Sequence, residues 1–187
     1  FYTIYNGIDF TPPPPQEDRL EYLRSLGHRE ILYFGCRDST THRLRAEGYQ
    51  RACQKFGLRE RILHSEFPRS SIENGYQMAK ALFEKPIDYT AIFASTDSNA
   101  LGIMKAADEH GIRIPDQLSL IGFDNIPSTA LPRIELTTIE QPKKAMAIQA
   151  VEMLLDKIEH ETQGYVHQIL MPSLVERSTC RSIQEDG

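Results

Sequence analysis

Apolar and polar positions in this chain come in blocks, and the clearest block covers residues 89–125. An apolar run at 90–94 gives way at once to Ser95, Thr96 and Asp97. A helical pattern follows, with Ala100, Leu101, Ile103, Met104 and Ala107 on one face, and Gly111 placed to stop it. A second apolar run, 118–123, ends in Asp124 and Asn125. The pattern predicts a strand–helix–strand unit with polar residues at the carboxyl end of both strands.

Flanking blocks extend the alternation. A helix is expected over 17–26 with Leu20 and Leu23 inward and Gly27 as its stop, then a buried strand at 31–34. Thr40 or Thr41 is placed to cap a helix reaching about Phe56, with Leu44, Gly48, Ala52 and Phe56 as its apolar row. A strand at 61–64 and a helix capped by Ser70 or Ser71, with Ile72, Tyr76, Ala79 and Phe83 inward, come next. Residues 126–133 form a loop with two prolines. A strand at 136–139 leads to a helix over 143–160 that presents Ala147, Ala150, Val151, Leu154, Leu155 and Ile158 to a core, with Pro142 at its start. A last strand at 168–175 is interrupted by Pro172, as expected of an edge or crossover, and the tail after Cys180 reads as disordered. The four prolines at 12–15 favour an extended approach to the first helix.

Strands alternating with helices through short connections predict an α/β fold: an open parallel sheet with helices on both faces. Right-handed crossovers gather the strand carboxyl ends on one side, where such sheets bind ligands. Three segments converge there: 36–45, 95–97 and 124–125.

Charge narrows the partners. With 21 basic and 26 acidic residues the net charge is −5, and no basic cluster exceeds two residues. Neither suits direct DNA binding, which needs a basic surface. No apolar stretch approaches membrane-spanning length. The opening segment lacks the pattern of a secretory signal, so a cytoplasmic location is expected. Three cysteines without metal-type spacing read as buried thiols in a reducing compartment, and no cofactor or metal is implied.

Three positions carry candidate chemistry. Arg45, near the start of its helix, offers a planar fork of donors; its plain alternative is a solvated helix arginine. Asp124, directly after its strand, offers two acceptors for neighbouring hydroxyls; its alternative is a turn-forming Asp-Asn pair. Thr96 and Asp97 end the other strand, with Asp97 the expected helix N-cap. Tyr5, Ser39, Thr40, His42, Phe67 and Ser70 are further residues able to line the crevice. His28 reads as a helix-end residue whose charged form suits the dipole. No motif for nucleotide binding, zinc hydrolysis or a nucleophile elbow is present.

Six segments in register then resemble one family. SLGHREILYFG (25–35), RAEGY (45–49), IFASTDSNALGIM (92–104), GIRIPDQLSLIGFDN (111–125), LTTIEQP (136–142) and LVERST (174–179) are similar to the effector-binding part of the lac-repressor/galactose-repressor family of transcription regulators. The resemblance implies one lobe of a two-lobed, periplasmic-binding-protein-like fold plus part of the other. Residues 1–10 would end the first lobe, 11–138 form the C-terminal lobe, 139–163 return to the first lobe, 164–180 cross back and 181–187 trail.

It further implies that Arg45 and Asp124 bind the effector. Thr96 stands where the family usually has an asparagine that contacts the ligand. That departure bears on ligand identity. The partners implied are a sugar-like small-molecule effector and a second copy of the chain in a homodimer, paired through the helices at 72–83 and 100–107 and the loop at 126–133. DNA would be reached only through a helix-turn-helix headpiece absent from this chain, which then reads as a fragment. A ligand closing two lobes would shift a DNA-binding equilibrium without any enzymatic step. The alternatives are a periplasmic-type sugar-binding protein for transport or chemotaxis and, further off, an α/β hydrolase or phosphotransfer enzyme.

Overall fold

The computed structural model describes residues 18–36, 40–65, 70–160 and 168–183. Its elements run α1 (Asp18–Ser25), β1 (Ile31–Gly35), α2 (Thr40–Phe56), β2 (Ile62–His64), α3 (Ile72–Phe83), β3 (Ala91–Ala94), α4 (Asp97–Glu109), β4 (Ser119–Ile121), a 3-10 turn (Pro127–Ala130), β5 (Thr138–Glu140), α5 (Lys143–Glu159) and β6 (Ser173–Val175). The expected polyproline approach at 12–15 and the candidates Tyr5, Ser39 and Phe67 lie outside the described residues.

The chain divides into two compact units, with boundaries between Glu140 and Gln141 and between Ser173 and Leu174. The larger holds a four-stranded parallel sheet in the order β2-β1-β3-β4, with Leu32 opposite Ile92 and Phe93 opposite Ile121. Parallel bridges from Ile121 to Thr137 and from Asp124 to Glu140 bring β5 alongside β4. Both faces are covered, which is why β1 and β3 read as unbroken apolar runs and not as alternations. On one face Ile31, Tyr33, Phe93 and Ile121 meet Leu20 and Leu23 of α1 and Tyr49 and Ala52 of α2. On the other Leu32, Phe34, Ile92 and Leu120 meet Ala79 and Phe83 of α3 and Ile103 and Ala107 of α4.

Helices α3 and α4 touch backbone to backbone. A Cβ built on Gly102 would lie 2.3 Å from the Ile72 carbonyl oxygen and 2.4 Å from the Tyr76 nitrogen, and one on Gly75 would lie 2.8 Å from Asn99 Cα. Two glycines facing each other permit this approach; any side chain there would separate the helices. The expected stops Gly27 and Gly111 both take positive φ, +95° and +68°.

Several expectations need correction. The buried face of α2 is Arg45, Ala46, Gly48, Tyr49, Ala52 and Cys53, so Leu44 and Phe56 sit only at its margin. A strict four-residue row drifts off a 3.6-residue helix, whereas the buried stripe is wider and centred elsewhere. Helix α2 already includes Thr40, so neither threonine caps it from outside. Of the two expected cap candidates Ser71 caps α3, accepting from the Asn74 N–H at 3.1 Å, but Ile72, expected inward, is 47% exposed at the first helical position.

Helix α5 buries no residue: Val151, Leu154, Leu155 and Ile158, expected to face a core, are all exposed. The last strand shortens to Ser173–Val175. The residues after Cys180 that are described do not trail free: the Ile183 N–H donates to the Leu26 carbonyl at 2.8 Å. His28 is not a charged helix end. It is buried, with Nδ1 2.8 Å from Thr90 Oγ1 and Nε2 2.9 Å from Ser119 Oγ and 3.2 Å from the Arg181 carbonyl. Burial pushes its pKa below the ordinary 6.5, favouring neutral imidazole.

Candidate effector-binding edge

The strand order reverses between β1 and β3, and the helices that follow them, α2 and α4, lie on opposite faces. A crevice opens at such a reversal, beyond the carboxyl ends of the strands. Arg45 reaches into that edge from α2. Its Nη1 donates to the Ser95 carbonyl at 2.6 Å and its Nη2 to Asp124 Oδ1 at 3.2 Å. The guanidinium carbon lies 3.8 Å from the centre of the Phe123 ring, a cation–π contact that fixes the plane of the fork. Arg45 is 5% exposed, and its Nε is buried without a hydrogen-bond partner among the described residues. The solvated-arginine alternative is thereby excluded; Arg43, paired with Glu47 at 3.0 Å on the outer surface, fills that role.

Asp124 adopts φ +114° and Asn125 φ +46°. Aspartate and asparagine tolerate left-handed backbone better than other side chains, so the pair ends β4 in a sharp turn. The Asp124 N–H donates to the Ile139 carbonyl at 2.9 Å, fixing the turn to β5. The turn alternative is therefore real, and it coexists with a carboxylate that meets Arg45.

Thr96, not Asp97, is the N-cap of α4. Its hydroxyl accepts from the Asn99 N–H at 3.2 Å and meets Ser70 Oγ, which also donates to Asn99 Oδ1 at 2.7 Å. Thr96, Ser70 and Asn99 thus form a small hydroxyl–amide cluster beside the Arg45–Asp124 pair, although capping already engages the Thr96 hydroxyl. Asp97 instead is the first helical residue and is wholly buried. Thr138 Oγ1 donates to its Oδ1 at 2.5 Å and the Ile126 N–H to its Oδ2 at 2.9 Å. Burial raises the Asp97 pKa, the Thr138 and Ile126 donors oppose the shift, and the nearby Asp124 charge adds to it. A Cβ on Gly122 would lie 2.3 Å from Asp97 Oδ1, so glycine there leaves room for this carboxylate.

Asn99, Thr138 and Arg177 were not singled out from the sequence. Asn99 sits inside a helix and Thr138 in a short strand, where neither residue type signals a site. Arg177, within LVERST, donates through Nη2 to Asn125 Oδ1 at 2.8 Å. The His42 carbonyl accepts from the Tyr33 hydroxyl at 3.3 Å. A separate groove lined by Met104, Ile112, Ile134, Lys105, Arg113 and Arg133 lies at the opposite, amino ends of β4 and β5, and includes none of these residues. Among the described residues no group of three or more His, Cys, Asp or Glu side chains could hold a metal ion, and no helix is long and apolar enough to cross a membrane.

Residues 20–180 match the family described as periplasmic binding protein-like domain. The HTH-type transcriptional repressor PurR of Haemophilus influenzae (strain PittEE) is 33% identical over 170 residues, covering 87% of this chain and 50% of the repressor. The chain therefore spans half the length of that relative. Among solved structures, a LacI family transcriptional regulator from Enterococcus faecium with bound ribose superposes with a TM-score of 0.76 at 27% identity, over 87% of this chain and 60% of that one. The lac repressor dimer bound to operator and the anti-inducer ONPF superposes with a TM-score of 0.78 at 28% identity, over 88% and 58%. The chain belongs to the periplasmic binding protein-like domain family, as a lac-repressor-type member of it.

Proposed function

We propose that this chain is the effector-sensing part of a DNA-binding transcription regulator, and that Arg45 and Asp124 contact the effector, with Thr96 beside them. The observation that carries the reading is the Arg45–Asp124 pair at the sheet's carboxyl edge. Arg45 supplies fixed donors and an unused buried Nε, while Asp124 is partly open and supplies acceptors. Ser70, Thr96 and Asn99 add hydroxyl and amide groups of the kind that hold a polyhydroxyl ligand.

A sugar or sugar derivative suits this set, and the ribose-bound neighbour supports it. The mechanism is non-covalent: the ligand favours one arrangement of two lobes and shifts a DNA-binding equilibrium. Residues 11–138 form the lobe carrying the site, 139–163 belong to the other lobe, and 164–180 cross back; α5 would then find its cover in the first lobe. DNA is reached only through a separate headpiece, in a cytoplasmic homodimer. The lac repressor dimer bound to operator supports DNA binding by a dimer. Solvent-facing Ile72 and Leu131 support pairing through α3 and the loop at 126–133.

Native mass spectrometry of the purified protein, with D-ribose as the first added probe, identifies the ligand, and calorimetry then measures its affinity. Removing one charged hydrogen-bonding partner is expected to weaken binding by about 10- to 100-fold in Arg45→Ala or Asp124→Ala. Wild-type affinity in both variants would overturn the site.

A further inference from the structure

Two residues in left-handed backbone rarely stand side by side without something holding them, since each costs free energy unless its surroundings impose it. Asp124 and Asn125 do so, and the turn is held from two directions. From the first turn of α4, Asp97 accepts from the Ile126 N–H. From outside it, Arg177 spreads its guanidinium over the turn: Nη2 donates to Asn125 Oδ1 at 2.8 Å, and Nη1 donates to the Leu136 carbonyl at 2.6 Å and lies 3.4 Å from Thr129 Oγ1. The Thr129 hydroxyl completes the ring, reaching Asn125 Oδ1 at 3.2 Å and donating to the Ile126 carbonyl at 2.7 Å. Arg177 is itself fixed at its backbone, where its N–H donates to Thr137 Oγ1 at 3.0 Å.

We propose that Arg177 is a positioning residue for the effector site: by gripping Asn125 and Leu136 together it holds the turn that points the Asp124 carboxylate at Arg45. The inference rests on reading Asp124 as an effector contact. Arg177 stands just past the boundary at Ser173 and Leu174, on the segment by which the chain re-enters this unit. The returning segment, and not β4 alone, therefore sets the direction of Asp124. The planar fork is essential, because one ammonium cannot serve the Asn125 amide oxygen and the Leu136 carbonyl in the same geometry.

Amide hydrogen exchange on the ligand-free chain tests this directly. In Arg177→Met, which keeps the stem and removes the donors, the Asp124 and Ile126 amides are expected to exchange about tenfold faster, while Tyr33 in β1 and Thr90 just before β3 keep their protection. Arg177→Lys should not restore it. Asn125→Gly, which keeps access to the left-handed backbone but removes the acceptor, is expected to give the same local acceleration, and it serves if Arg177→Met fails to fold. Unchanged exchange at Asp124 and Ile126 overturns the proposal, as does uniform acceleration that includes Tyr33 and Thr90, which marks a general fold role. If exchange behaves as expected but Asp124→Ala leaves effector affinity intact, Arg177 positions a turn that binds no effector, and only the site reading fails.

Discussion

Helices α4 and α5 look alike in sequence and end in different circumstances. Both carry an apolar face at helical spacing. Helix α4 buries Ala100, Ile103, Ala106 and Ala107 against the sheet, and its Gly102 meets the backbone of α3, whereas α5 leaves even Leu154 and Leu155 about half exposed. Periodicity tells which face of a helix is apolar; only the presence of a partner makes that face a core.

The sharpest way to break this contrast is Gly102→Ala. Alanine is the better helix former by about 1 kcal/mol. Here, however, the added methyl meets backbone atoms of Ile72 and Tyr76 that have nowhere to go, and overpacking of that kind costs about 3 kcal/mol. A net loss of stability in urea denaturation is expected; a gain would show that α3 and α4 do not cross this closely.

Acid offers a gentler lever on the same unit. The pKa of His28 in the folded chain lies below 6.5 because burial disfavours the imidazolium. The unfolded chain therefore binds the proton more readily, and the stability His28 contributes is fully present above pH 6.5 and is lost as pH falls through its folded value. Asp97, with a raised folded pKa, works in the opposite sense at lower pH, its carboxyl protonating more easily in the folded state than in the unfolded one. Denaturation midpoints measured from pH 7.5 downward are expected to fall first, and His28→Gln should flatten that decline. A midpoint unchanged between pH 7 and 5 in the wild type would contradict a neutral buried His28.

The smallest effect sharpens the other side of the comparison. In this chain by itself, Leu155→Gln on α5 is expected to change stability by no more than about 0.5 kcal/mol, as surface substitutions do. A loss of several kcal/mol would mean that this face is covered in solution.

Much of the sheet was legible because both-face burial writes itself as apolar runs, and the strand ends because polar residues follow those runs at once. Asp124 was nameable for that reason, whereas Arg45, ten residues past its strand, stood out chiefly through the family resemblance; that the two meet follows from the parallel topology. Cap assignment failed at Thr96 and Asp97, since both residue types cap well and only the burial demanded by Gly122 and Thr138 decides between them. His28 failed because its partners, Thr90, Ser119 and Arg181, are distant in sequence and none signals a buried network alone. Arg177 was hidden for the same reason, its acceptors lying 41 and 52 positions away.

The stacking of Arg45 on Phe123 has a consequence for the tempo of recognition. A free arginine samples many rotamers, and immobilising such a side chain at an interface costs about 0.5–1.5 kcal/mol when the partner arrives. In this chain, folding has already fixed the guanidinium between the Phe123 ring, the Ser95 carbonyl and Asp124. On the proposed site, an arriving effector would find a rigid template instead of a searching limb, and little of its binding free energy would go into ordering the receptor.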